Sequence, residues 1–96
     1  MEGVPPHQRV VRALTALADE NRLRMVELLA ASAELTCGAI GTALGLSPSL
    51  VSHHLAVLES AGLIARRKAG PCTLNRLRRD ELARHLSGLA RLVGAG

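Results

Sequence analysis

Four residues, Gly45-Leu46-Ser47-Pro48, split the middle of this 96-residue chain into two short apolar-periodic segments. Gly45 suits a left-handed helix end, where a Cβ is costly. Ser47 followed by Pro48 is a helix start, with a hydroxyl to cap the first amides and a proline where no N–H is needed. Two helices this close must turn sharply against each other, which predicts a helix-turn-helix. The second helix should run to about Ala61 and stop at Gly62. At about 100° per residue, Val51, Leu55 and Leu58 fall on one side and Ser49, Ser52, His53 and Ala56 on the other. That outer face is small, polar and uncharged, unlike the Glu- and Lys-rich face of a merely solvated helix.

The flanking punctuation builds the rest of a domain. Val11, Leu14, Leu17 and Ala18 form an apolar stripe on a first helix. Asp19 is placed to cap a second, with Leu23, Val26, Leu29 and Ala30 facing inward. Glu34 to Thr36 reads as a brief extended piece, and Thr36 caps the helix that carries Ile40 and Leu44. Leu63 to Lys68 and Cys72 to Leu77 are two strands around Ala69-Gly70-Pro71, a hairpin. Asp80 is expected to cap a last helix with Leu82, Leu86, Leu89 and Val93 along one stripe. The expected fold is mainly α with a small β-hairpin: a winged helix-turn-helix over 10–93, with a flexible arm at 1–9 and a frayed end at 94–96.

Composition limits what such a domain can do. The chain is 48% hydrophobic without a single Phe, Tyr or Trp, so its core is aliphatic and it lacks the rings on which single-stranded nucleic acid stacks. Net charge is +4, which favours an anionic partner. No apolar run is long enough to span a bilayer, and residues 1–8 are too short and polar for a secretory signal. Two cysteines are too few for a disulfide scaffold, so a reduced cytoplasmic protein with no membrane association is expected.

Charge is unevenly placed. Glu34 and Glu59 bracket a stretch with no charged residue, whereas Arg66, Arg67, Lys68, Arg76, Arg78 and Arg79 follow with no acid among them. These cations either solubilise the hairpin or meet phosphates while the neutral helix enters a groove. The second choice predicts binding to double-stranded DNA through Ser47, Ser49, Ser52 and His53 on the helix and Arg66, Arg67, Lys68 and Arg76 on the wing. No nucleophile–base pair or glycine-rich phosphate loop is present, so an enzyme is not expected.

Three segments resemble the ArsR/SmtB family of bacterial metal-responsive repressors. Ala18-Asp19-Glu20-Asn21-Arg22-Leu23-Arg24 is similar to that family's ADPTRLRIL opening. Residues Leu44 to Leu58, centred on Val51-Ser52-His53-His54-Leu55, resemble its LGLSQSTVSHHLKVL segment, and Glu59 to Ile64 its REAGLV tail. The resemblance implies a transcriptional regulator, usually a repressor, that pairs through its first and last helices. Its homodimer would bind an inverted-repeat operator with two recognition helices about 34 Å apart. Ala56 and Pro71 depart from the family pattern, each standing where a basic or polar residue is usual.

The family's two usual metal sites are not legible. Its Cys-x-Cys positions correspond to Thr36 and Gly38, with Cys37 between them, and a thiolate chelate needs at least two sulfurs. On the last helix Asp80 and His85 lie about 140° apart and cannot chelate from one face. His7, Cys37, Cys72 and His85 remain as candidates for a transition metal such as Ni or Zn, or for a redox pair of the two cysteines. Each also fits an ordinary packing or surface role. Input from a separate sensor protein, and reuse of the winged helix as a protein-interaction module, are the open alternatives.

Overall fold

The computed structural model describes residues 6–94. Helices α1 (Pro6–Leu17) and α2 (Glu20–Ala30) precede a two-residue strand β1 (Leu35–Thr36). Then come α3 (Cys37–Leu44), α4 (Pro48–Ser60), strands β2 (Ile64–Ala69) and β3 (Cys72–Leu77), and α5 (Arg79–Ala90), which tightens into a 3-10 turn over Arg91–Val93. Of the expected arm at 1–9, residues 1–5 lie outside the described residues, while 6–9 are already helical. Ala95 and Gly96 also lie outside them.

Three caps place the helices as the sequence indicates. Asp19 accepts from the Arg22 amide at 3.1 Å, Thr36 from Ala39 at 3.1 Å and Ser47 from Leu50 at 3.3 Å. Gly45 ends α3 at φ +70°, so the chain reverses at once into α4. Gly41 lets that turn close: a Cβ there would lie 3.1 Å from the Leu46 carbonyl and 3.3 Å from Val51. The sheet order is β1-β3-β2, all antiparallel. Ala69 pairs with Cys72 across a Gly70-Pro71 turn, and Gly70 at φ +62° followed by proline suits a type II′ hairpin.

Met25, Leu29, Ile40, Leu55, Leu58 and Leu63 are fully buried where α2, α3, α4 and the sheet meet. Three sequence expectations need correction. On α1 the inward residues are Ala13 and Ala16, whose small side chains let the helix sit close, while Val11 and Leu14 are exposed. On α2, Met25 takes the place expected of Leu23, which turns out to solvent along with Ala30. Asp80 does not cap α5. The helix begins two residues earlier than such a cap would place it, with Arg78 in the cap position, and Asp80 and Glu81 lie in the first turn, where their charge suits the helix dipole. Only Leu82 of the expected α5 stripe packs on the core; Leu86 is 54% exposed, and Leu92 and Val93 of the 3-10 turn are exposed too.

Candidate nucleic-acid interface

Helix α4 divides as its sequence requires. Val51, His54, Leu55 and Leu58 are buried, and Ser49, Ser52, His53 and Ala56 are exposed. The Ser47 and Ser49 hydroxyls stand 3.5 Å apart at the start of the helix. Leu50 is exposed beside them. The two histidines separate: His53 opens to solvent, lining a groove with Val11 and Thr15 of α1, and His54 is 7% exposed.

His54 is fixed from behind by Arg22. The Arg22 Nη1 lies 3.2 Å from His54 Nδ1, while its Nε donates to the Ala16 carbonyl at 2.6 Å. One guanidinium therefore ties together the end of α1, the start of α2 and the inner face of α4. The Arg22 amide also holds the Asp19 carboxyl below its ordinary range, since the carboxylate accepts its hydrogen bond.

The wing cations are not equivalent. Ile64 and Leu77 pair on the buried face of the hairpin, and alternation puts Arg66 and Asn75 on that same face. Arg66 Nε donates to Asn75 Oδ1 at 2.8 Å, its Nη2 approaches Cys37 Sγ at 3.6 Å, and its Nη1 lies 3.8 Å from Glu59. Asn75 is fully buried and donates to the Leu35 carbonyl at 3.0 Å. Arg67 points to the other face, where Glu34 grips it with two bonds of 2.9 and 2.8 Å. This fork lowers the Glu34 pKa and raises that of Arg67, chiefly through the hydrogen bonds themselves. Arg79 donates to the carbonyls of Ala30 and Ser32 beyond the end of α2. Lys68 and Arg76 are exposed, and no carboxylate among the described residues stands within bonding distance of either. Sequence reasoning misses Glu34, Asn75 and Arg22 as organising residues, because their partners lie far away along the chain.

The remaining candidates lie apart along the fold. His7 is exposed on α1, Cys37 is half-buried at the first position of α3, Cys72 is exposed beside the hairpin turn and His85 is half-buried on α5. Among the described residues no three His, Cys, Asp or Glu side chains come together to hold a metal. No described helix is long and apolar enough to cross a membrane.

Comparison with known proteins bears on this geometry. Residues 19–66 match the model of the bacterial regulatory protein, arsR family. The chain is 36% identical over 74 residues to the uncharacterized HTH-type transcriptional regulator YceK of Bacillus subtilis, covering 76% of this chain and 74% of that one. It also matches arsenical-resistance repressors at 38 to 42% identity, of which it spans about half the length. Among solved structures, an ArsR-like transcriptional regulator from Rhodococcus superposes with a TM-score of 0.83 at 25% identity, over 93% of this chain and 83% of that one. The homodimeric winged helix-turn-helix DNA-binding domain Mb0332 from Mycobacterium bovis gives 0.74 at 33% identity, over 97% and 89%.

Proposed function

Because the chain belongs to the arsR family of bacterial regulatory proteins, we propose that it is a transcriptional repressor acting as a homodimer on an inverted-repeat DNA operator. The observation that carries this is the pairing of two surfaces. An uncharged outer face of α4, with Ser49, Ser52 and His53, stands beside a hairpin that presents Lys68 and Arg76. Hydroxyls and an imidazole are short enough to reach base edges without the repulsion a carboxylate would bring. The wing cations supply phosphate contacts that set register, and Ser47 adds a hydroxyl at the helix start.

Pairing is supported by the apolar residues left outside the core. Val11 and Leu14 on α1, and Leu86, Leu92 and Val93 at the end of the chain, are large and exposed, and α1 and α5 lie against each other. A second copy applied to those helices would cover them and set two α4 helices about one DNA turn apart. As a binder of chromosomal DNA the protein works in the cytoplasm, and it is not an enzyme. The regulating signal enters through a separate sensor protein or a small effector. Thr36 and Gly38 bring no thiolate, and Asp80 and His85 point apart on α5.

A gel shift on the gene's own upstream region, in a salt series, tests the proposal. Ser52→Ala with His53→Ala should weaken specific binding and leave helicity and dimer intact. Binding that is indifferent to salt and to both substitutions refutes it, and leaves the winged helix as a protein-contact module.

A further inference from the structure

We propose that Arg66 is a positioning residue for DNA recognition, one that fixes the angle between the hairpin and α4 without touching a phosphate. This role rests on the repressor reading above and adds to it how the two DNA-facing parts are held in register. By charge alone Arg66 counts among the phosphate-binding cations of the wing; its contacts give it another task.

One guanidinium meets three other elements. Its Nε donates to Asn75 Oδ1 of β3 at 2.8 Å, its Nη2 approaches Cys37 Sγ at the start of α3 at 3.6 Å, and its Nη1 lies 3.8 Å from Glu59 near the end of α4. Asn75 closes the set, donating to the Leu35 carbonyl of β1 at 3.0 Å and approaching the same sulfur at 3.6 Å. The Arg66 side chain is 21% exposed, against 59% for Arg67. A planar guanidinium has donors along several edges and can hold these partners at once, whereas an ammonium is a single point charge.

The place of this rung along the hairpin gives it leverage. Ile64 and Leu77 anchor the base of the hairpin in the core, and Arg66 and Asn75 form the next rung on the same face. Lys68 and Thr73 pair beyond them, with no hydrogen bond or ion pair to a helix among the described residues. Lys68 lies two residues, about 7 Å, past Arg66 and four residues, about 13 Å, past Ile64. Loss of the Arg66 rung therefore about doubles the free length that carries Lys68. Random DNA tolerates such play, because any phosphate serves. An operator does not, since Lys68 and the outer face of α4 must meet their targets together.

Fluorescence anisotropy on the operator and on a random duplex, each in a salt series, tests this with Arg66→Lys and Arg66→Gln. Both variants should lose about tenfold in operator affinity, the size of one mismatched contact, while affinity for the random duplex and the salt slope stay at native values. Lysine keeps the charge but not the fork, so rescue by Arg66→Lys would overturn the proposal. A slope shallower by about 1.8 in Arg66→Gln would overturn it as well, because a phosphate contact on each of two wings predicts that change. Circular dichroism melts report whether each variant is folded at the assay temperature. Folded variants with native operator affinity would leave Arg66 a stabilising residue only, against the proposal. Glu59→Gln decides the matter if the Arg66 variants unfold, since it cuts only the tie to α4 at a half-exposed side chain. It should lower the ratio of operator to random affinity about threefold with little change in Tm, as loss of a weak ion pair does; an unchanged ratio counts against the proposal. Native protein with no preference for the operator would instead refute the repressor reading itself.

Discussion

Replacing Glu34 by Gln should strengthen DNA binding. Glu34 holds the Arg67 guanidinium with bonds of 2.9 and 2.8 Å, leaving that cation occupied although its side chain is 59% exposed. The substitution keeps the size of the side chain but removes its charge, so Arg67 is released toward solvent and phosphate. Each added phosphate contact steepens the dependence of log affinity on log salt by about 0.9. A dimer with two wings gains about 1.8. At a salt concentration of ~0.15 M that corresponds to roughly 30-fold tighter binding, or about 2 kcal/mol. The assay is fluorescence anisotropy on an operator duplex from low to physiological salt, with circular dichroism as the folding control. The exposed ion pair adds little stability, so the fold should survive. Arg67→Gln in the native background should leave the slope nearly unchanged, and in the Glu34→Gln background should reverse the gain. An unaltered slope in well-folded Glu34→Gln protein refutes the premise that this clamp withholds Arg67 from DNA.

Leu86→Glu, alone or with Leu14→Glu, should weaken dimerisation about 30-fold or more, as loss of a buried interface anchor does; sedimentation would show a folded monomer, and an unchanged dimer would move the seam elsewhere. Asn75→Leu removes the partner of the Leu35 carbonyl and of Arg66 Nε, so it should cost about 2–3 kcal/mol and lower Tm by roughly 10–20 °C. Thermal denaturation reads this, and a neutral result would mean the buried amide is dispensable. Asp19 and Glu34 both have lowered carboxyl pKa values. Their stabilising contribution is therefore complete above the ordinary carboxylate range and is lost as pH falls through the lowered values. Asp19→Asn should lower stability at neutral pH, where the charge contributes, and flatten that acid limb in an equilibrium denaturation series, so that variant and native chain converge at low pH.

Local signals are legible in the sequence where a residue acts on neighbours three positions away. Asp19, Thr36 and Ser47 each cap a helix through an i+3 amide, and Gly45 ends α3 in the left-handed region. The two faces of α4 are equally legible, because one helical period sorts Val51, Leu55 and Leu58 from Ser49, Ser52 and His53. What periodicity does not carry is which body an apolar stripe faces. Leu14 and Leu86 have the same spacing as core residues, yet both are exposed in the single chain, since Ala13 and Ala16 fill the inner side of α1. The Glu34–Arg67 clamp spans 33 positions and exists because the sheet order β1-β3-β2 brings the two ends of the sheet across β3. No local pattern encodes that order. Arg66 is a different case: alternation from a buried Ile64 sends it to the inner face, whereas a count of charges treats it as one more wing cation.

That difference changes how hard the wing can hold DNA. Counted by composition, six cations from Arg66 to Arg79 on each of two wings would give a salt slope near about −11. The fold commits Arg66 to Asn75 and Glu59, Arg67 to Glu34 and Arg79 to the α2 carbonyls, and sets Arg78 beside Asp80. Lys68 and Arg76 remain, about four cations in a dimer, for a wing contribution near about −4. A shallow slope means that little of the affinity is shared with random DNA. Discrimination then rests on Ser49, Ser52 and His53 and on the spacing that the dimer imposes on two α4 helices. A measured slope near about −11 would show that DNA pulls the engaged arginines from their partners, and the clamps would then be switches rather than anchors.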